Sequence, residues 1–292
     1  MANLERHKIN VLHIPYNANN PGGKGESLLR LDKEGINVAN GFIIPTESFE
    51  LFLDSSSVGI KLRNAIVKGE LDRSLVVQLK KFIINSKLPE EVMNSIHYAL
   101  RHTGLNKDKL IVRSSANVED SKEKSFAGQF KTIVNVEPQN IQSAILDVYA
   151  SLYNNAAISY AESMNLIEAR MAVVVQEMIN TDFAGVAFTI SPIGKTGSMT
   201  IEYVVGQGEA LVSGKTKPCN VKLDRSNFNF ISEWVPSGVE ACMLRETVRE
   251  VAALAMHIET IYNMPMDIEW GIARGKLFVF QARPITHLKR IC

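Results

Sequence analysis

The sequence predicts an α+β fold in two lobes. Three observations carry that reading: helical spacing of apolar residues to about residue 105, short β-branched runs beyond residue 170, and one amphipathic helix interrupting those runs near residue 250. With 292 residues, 46% of them hydrophobic and 22% charged, the chain can build a sizeable core, which excludes disordered and fibrous classes. The length suits two lobes, and the change of texture places their division near residue 180, giving an N-terminal lobe over 1–180 and a C-terminal lobe over 181–292.

The elements follow in order. A glycine-rich turn at 21–27 precedes a helix in which Leu28 and Leu31 share a face before Gly35. The stretch 89–103 reads as a helix: Pro89 suits a first turn, Glu90 and Glu91 meet the positive end of the dipole, and Gly104 is the stop. Its inward stripe is Val92, Ile96, Ala99 and Leu100. LIVR at 110–113 and TIVNV at 132–136 read as strands separated by a polar, small-residue loop. Residues 140–164 return to a helical period, with Asn140 as cap and Ile141, Ala144, Ile145, Val148, Leu152, Tyr160 and Met164 along one stripe. MAVVVQEM, FAGVAFTI and MTIEYVV then read as strands, and 246–262 as a helix with Val248, Val251, Leu254, Ala255, Ile258 and Ile261 facing inward.

Lys and Arg number 32 against 31 for Asp and Glu, so no overall field favours a polyanion and nucleic acid is not the expected partner. Three cysteines, Cys219, Cys242 and Cys292, show no C-x-x-C spacing, which argues against a disulfide framework or zinc knuckle. The N-terminal residues lack a secretory apolar core and no apolar run reaches the ~20 residues that span a bilayer, so a cytoplasmic protein without membrane contact is expected. The six histidines have no metal-site spacing, and no Ser-His-Asp or catalytic Cys pattern appears.

Three segments carry polar chemistry. In PGGKGES, Gly22, Gly23 and Gly25 free the backbone around Lys24 beside a helix start, which suits an oxyanion; the alternative is a solvated turn. It is not a Walker loop, because Ala18 and Gly25 stand where Gly and Ser or Thr are needed. In VRSSANVEDSKEKSFAGQF, Arg113 can clamp phosphate and the Ser125–Gln129 loop, with Gly128, can offer amides; the alternative pairs Arg113 with Glu119 or Asp120.

The third segment is a hairpin of MDIEWGI and LFVFQARPIT. A three-residue loop, Arg274 to Lys276, places Glu269 opposite Gln281 and Asp267 opposite Arg283. The other face then joins Ile268, Trp270 and Ile272 to Phe278 and Phe280. Two carboxylates beside an arginine and an amide suit Mg2+ and phosphate; the alternative is a cross-strand Asp267–Arg283 ion pair on a solvated face. Gln176, Glu177 and Met178 end an apolar strand whose backbone could meet a planar base. Gly206 and Gly208 lack the third glycine and βαβ setting of a dinucleotide fingerprint. Lys24, Arg113 and the Asp267 to Arg283 group all suit one ligand, a magnesium-bound polyphosphate.

With these blocks in order, GGKGESL and GFIIPTESF, VRSSANVEDSKEKSFAGQF, MAVVVQEM with AGVAFT, GQGEALVSG, and DIEWGI with QARPIT, the chain resembles nearly end to end the amino-terminal nucleotide-binding domain of the phosphoenolpyruvate synthase, pyruvate phosphate dikinase and rifampin phosphotransferase family. Its SFAGQ loop is closer to the synthase and rifampin branch than to the methionine-rich loop of the dikinase. The resemblance implies the two-lobed ATP-grasp fold and ATP with Mg2+ as cofactors. By motif it implies that Lys24 and Arg113 hold phosphates, that Gln176, Glu177 and Met178 line the adenine site, that Glu269 with Asp267 binds Mg2+, and that Gln281 and Arg283 complete the phosphate site.

The same resemblance implies transfer of the two terminal phosphates of ATP to a histidine on a swivelling domain, with release of AMP. That histidine segment and the pyruvate-binding barrel have no counterpart in this sequence, so an incomplete phosphotransferase module is expected, its phospho-histidine domain on another subunit or a downstream segment. Alternative expectations are a non-catalytic ATP-sensing subunit and an ATP-grasp ligase that forms an acyl phosphate and ADP. The final acceptor, whether pyruvate, a phenol, an amide or an antibiotic, is not encoded in these residues.

Overall fold

The computed structural model describes residues 9–12, 20–68, 73–117, 130–153, 169–191, 197–207, 217–237 and 242–285. The chain divides into two compact units, one of His7–Leu29 and Asn40–Met178, the other of Met1–Arg6, Arg30–Ala39 and Ile179–Cys292. Both helices and sheets are present, so the α+β class holds. Among the described residues, no helix is long and apolar enough to cross a membrane.

The first unit is a five-stranded sheet with helices on one face. Its strands are β1 (Ile9–Val11), β2 (Gly41–Ile44), β3 (Leu110–Ala116), β4 (Thr132–Val136) and β5 (Met171–Glu177), in the order β1-β2-β5-β3-β4. β1 runs parallel to β2, and the other pairs are antiparallel. The period of two sorts the side chains. Phe42, Ile44, Val112, Val173 and Val175 enter the core with Phe49, Phe52, Leu79, Ile96 and Tyr149 from the helices. Those helices are α2 (Thr46–Asp54), α3 (Ser57–Val67), α4 (Arg73–Asn85), α5 (Glu90–His102) and α6 (Ile141–Ser151), while α1 (Gly22–Lys33) begins in this unit.

Helix α5 forms where its period and charges predict, burying Val92, Ile96, Ala99 and Leu100. Its acidic first turn and basic last turn complement the helix dipole. Gly104 follows at φ 77°, a left-handed position that glycine occupies without strain. Pro89 stands one place earlier than expected, at the N-cap, where its extended backbone starts the helix from outside. Helix α6 departs further, since it ends at Ser151 and Asn140 makes no side-chain cap bond. Tyr153 Nα–H and Leu152 Nα–H close tight turns onto Ala150 and Tyr149, ending the α-helical ladder early. Tyr160 and Met164 lie outside the described residues.

The second unit is a six-stranded antiparallel sheet backed by one helix among the described residues. Strands β6 (Phe183–Phe188), β7 (Ser198–Val205), β8 (Cys219–Asp224), β9 (Phe230–Trp234), β10 (Met266–Ala273) and β11 (Lys276–Pro284) lie in the order β11-β10-β6-β7-β8-β9. Helix α7 (Arg245–Tyr262) packs on β10, β6 and β7. It buries Val248, Val251, Ala252, Ala255 and Ile258, with Leu254 and Ile261 half-buried at the margins. Opposite lie the buried Ile268, Trp270, Ile201, Tyr203 and Val221 of the sheet. The free edge of β11 is covered by 36–39: Val38 bridges Val279, and Val279 N–H donates to Asn37 O at 2.9 Å.

The C-terminal hairpin keeps the expected pairing at its polar end but reaches it differently. Glu269 faces Gln281 and Asp267 faces Arg283, yet the tip pairs Ala273 with Lys276 around only Arg274 and Gly275. A β-bulge between Glu269 and Trp270 takes up Phe280 as the extra residue and restores the register. The two-residue turn is available because Arg274 and Gly275 both take positive φ, 51° and 71°. The apolar face therefore pairs Trp270 with Val279 and Ile272 with Leu277. Phe278 and Phe280 sit on the other face, where Gly271 leaves room: a Cβ there would come within 2.6 Å of the Phe280 ring.

Candidate functional site

The sequence-predicted residues fall into two groups, one in each unit. In the first unit, Arg113 on β3 and Gln176 on β5 share the sheet face turned away from α2 to α6, because Arg113 pairs with Val174 and Gln176 with Ile111 across one ladder. Both are buried, at 7% and 1% exposure, so neither is a solvated surface side chain.

The glycine-rich segment lies on this same face, and it is the first turn of α1 instead of a turn preceding it. Helix N-termini leave amide N–H groups without intrahelical partners, and here Ser115 supplies one acceptor. Gly25 N–H donates to Ser115 Oγ at 2.9 Å, and Ser115 Oγ donates to Pro21 O at 2.7 Å. Gly22 N–H donates to Asn20 Oδ1 at 2.9 Å. Glycine is required at 22 on two counts: φ is 67°, and a Cβ would stand 1.8 Å from Ser115 O. Gly25 lets the turn approach Ile43. Lys24 is held in this turn at 9% exposure, which removes the solvated-turn alternative.

Ser115 went unread in the sequence, although the period of two along β3 places it on the Arg113 face. Ser115→Ala is expected to cost about 1–2 kcal/mol by removing the helix cap and leaving Pro21 O without its donor. Urea denaturation measures this, and titration with Mg-ATP should show weaker binding than in the unaltered chain.

At the end of β5, Glu177 N–H donates to Asn40 O and Met178 N–H to Lys109 O, both at 2.8 Å. These two donors are committed to the sheet, so base recognition at this strand end would fall to other polar atoms of 176–178. Gly128, with the whole 118–129 loop, lies outside the described residues, as does most of GQGEALVSG.

In the second unit, Asp267, Glu269, Gln281 and Arg283 are brought together on the sheet face opposite α7. Arg283 Nε and Nη2 both donate to Asp267 Oδ2, at 2.9 and 2.6 Å. The cross-strand ion pair weighed from the sequence therefore forms, but Asp267 is only 9% exposed, so its face is not simply solvated. Burial pushes the Asp267 carboxyl above its ordinary value. The Arg283 guanidinium opposes this, while Glu269 and Glu202 reinforce it.

Glu202 is the second residue that sequence reasoning missed. It pairs with Val186, which pairs with Glu269, so all three lie on one face across β7, β6 and β10. Asn220 Nδ2 donates to Glu202 Oε1 at 2.9 Å. A lone carboxylate in the apolar run MTIEYVV was the available clue.

The donor set fits a hard cation that completes its shell on a ligand. Carboxylate and amide oxygens line one face, yet no group of three or more His, Cys, Asp or Glu among the described residues could hold a metal alone. Mg2+ characteristically uses one or two carboxylates together with substrate phosphates.

A family model described as pyruvate phosphate dikinase, AMP/ATP-binding domain, matches residues 18–237 and 234–291. A probable phosphoenolpyruvate synthase of Methanocaldococcus jannaschii is 28% identical, the alignment covering 92% of this chain and 26% of that protein. The rifampicin phosphotransferase of Bacillus cereus is 30% identical over 91% of this chain and 34% of its own length. The chain thus spans about a quarter to a third of these two relatives. Among solved structures, the D-alanine-D-alanine ligase of Helicobacter pylori is 9% identical with a TM-score of 0.29, over 63% of this chain and 46% of that one.

Proposed function

The chain belongs to the pyruvate phosphate dikinase AMP/ATP-binding domain family, and from that premise we propose that it is an ATP-grasp module that binds Mg-ATP and passes the two terminal phosphates to a histidine on another domain or subunit, releasing AMP. The observation that carries this reading is the alignment of Asp267, Glu269, Gln281 and Arg283 on one sheet face by a bulged hairpin. Two carboxylates there suit a metal-bound phosphate chain, and an arginine and an amide suit its oxygens. Lys24 and Arg113 add two buried cations on one sheet face of the other unit, with Gln176 beside Arg113 in the sheet.

Glu269, with Asp267 beside it, would hold Mg2+, which when bound neutralises phosphate charge. The protein's own part is positioning and charge stabilisation, which dominate phosphoryl transfer. Lys24, Arg113 and Arg283 would orient phosphate oxygens, and Gln281 would donate its amide hydrogens. Gln176, Glu177 and Met178 would border the base. The acceptor imidazole nitrogen bonds to the β-phosphorus, the bond from that phosphorus to the α,β-bridging oxygen breaks, and AMP leaves. We place this module in the cytoplasm, with the relatives' phosphate acceptors as candidates for the final transfer.

The test is product identity. Mg-ATP labelled at the β-phosphate is incubated with the chain and a phosphoacceptor histidine domain supplied in trans, and nucleotides and protein are separated. AMP with acid-labile label on the histidine domain is the expected result. ADP would point instead to acyl-phosphate chemistry, and ATP bound but recovered intact, with no label on protein, would overturn the transfer step in favour of a nucleotide-sensing role.

A further inference from the structure

We propose that Cys219 and Cys242 form a redox-active dithiol, a modification site at which a peroxide converts the pair to an intramolecular disulfide joining β8 to the segment that enters α7. Cys219 and Tyr203 are direct cross-strand partners on the helix-covered face of the six-stranded sheet, and both are buried. The phenol reaches the segment before α7, since Met243 N–H donates to Tyr203 Oη at 3.3 Å and Met243 is itself buried. Cys242 is the next residue back along the chain and is exposed. Cys219 and Cys242 thus converge on one buried phenol, Cys219 as its cross-strand neighbour and Cys242 one residue before the amide that donates to it, and the two cysteines act on one another electrostatically.

Two cysteines gathered at one phenol, one facing solvent and one buried, make the arrangement that stepwise oxidation needs. The Cys242 thiolate attacks a peroxide oxygen, breaking the O–O bond, becoming a sulfenic acid and releasing hydroxide. The Cys219 sulfur then bonds to the Cys242 sulfur, the S–O bond breaks, and the thiol proton leaves with the hydroxyl as water. Peroxide is the oxidant and the two sulfurs supply the two electrons. Burial raises the Cys219 pKa and keeps that thiol protonated, so the exposed partner reacts first and the buried one resolves. Both cysteines lie on or beside the α7 face of the sheet, opposite the carboxylates, so neither belongs to the proposed metal and phosphate residues.

The experiment treats the unaltered chain with stoichiometric hydrogen peroxide, alkylates remaining thiols after unfolding, and maps peptides by mass spectrometry. The expected result is a Cys219–Cys242 linked pair, a chain lighter by two hydrogens, full reversal by dithiothreitol, and slower tryptic cleavage after Arg245. In Cys219→Ser the link is lost and Cys242 proceeds to sulfinic or sulfonic acid. The proposal is overturned if the unaltered chain over-oxidises Cys242 while Cys219 is recovered fully alkylated, or if the disulfide that forms uses Cys292. These readouts need no nucleotide, so failure here leaves the phosphotransfer reading untouched.

Discussion

Replacing Arg283 with alanine is expected to lower AMP release in the reconstituted reaction by about 100- to 1,000-fold, the loss typical of one preorganised donor to developing charge. The same change strips Asp267 of the two guanidinium donors at 2.9 and 2.6 Å. With its main opposing influence gone, the already raised Asp267 carboxyl rises further, and the buried group takes up a proton more readily. The pair is neither fully exposed nor fully buried, with side chains 31% and 11% accessible. The stability loss should therefore fall between that of a surface ion pair and that of a broken buried one, about 2 kcal/mol. Arg283→Lys should recover part of the stability but little of the rate, because an ammonium cannot present two parallel donors to a phosphate. A rate that survives Arg283→Ala within a few-fold would remove Arg283 from the phosphate site.

Glu269→Ala separates metal binding from folding. Turnover is expected to fall by a similar ~100- to 1,000-fold and to need far more Mg2+ to recover. Thermal melting should stay unchanged or move slightly upward. Glu269 is one of the two carboxylates that push Asp267 up, so its removal relieves a like-charge contact and lets the Asp267 carboxyl fall toward its ordinary range. A variant that melts normally and turns over normally at low Mg2+ would discard the metal assignment. One that melts much lower would show Glu269 to be structural.

The two halves of the candidate site were legible to different depths. Period two along MDIE and QAR put Asp267 with Glu269 and Gln281 with Arg283 on common faces, because alternation is a local property of a strand; their cross-strand pairing followed from a three-residue loop that the hairpin does not have, and it holds because the bulge at Phe280 makes up the missing place. The turn was not legible, since Arg274 adopts a positive φ that glycine or asparagine would have advertised. Similarly, the stripe of α5 is written in its own residues, whereas the end of α6 at Ser151 has no glycine or proline to mark it. Ser115 illustrates what a linear reading leaves out. Its role depends on a helix 90 residues earlier docking against its strand, and spacing within β3 carries no information about that neighbour.

The bulged hairpin also holds a choice of alignment. The pairing at Asp267 and Glu269 is the one a three-residue loop would give, while the tip is displaced from it by one place. Sliding the tip by a single residue would erase the bulge without disturbing the acidic end. It would also turn Leu277 and Val279 outward and Phe278 and Phe280 toward the helix. The arbiter is Asn37, whose backbone oxygen accepts from Val279 N–H and whose Nδ2 donates to Leu277 O, each at 2.9 Å. These two bonds clamp the outer strand at alternate residues, and a strand gripped in that way cannot move by an odd number of places without losing both. Asn37 thus acts as a detent on the hairpin, fixing from the far edge of the sheet which aromatic rings border the carboxylates.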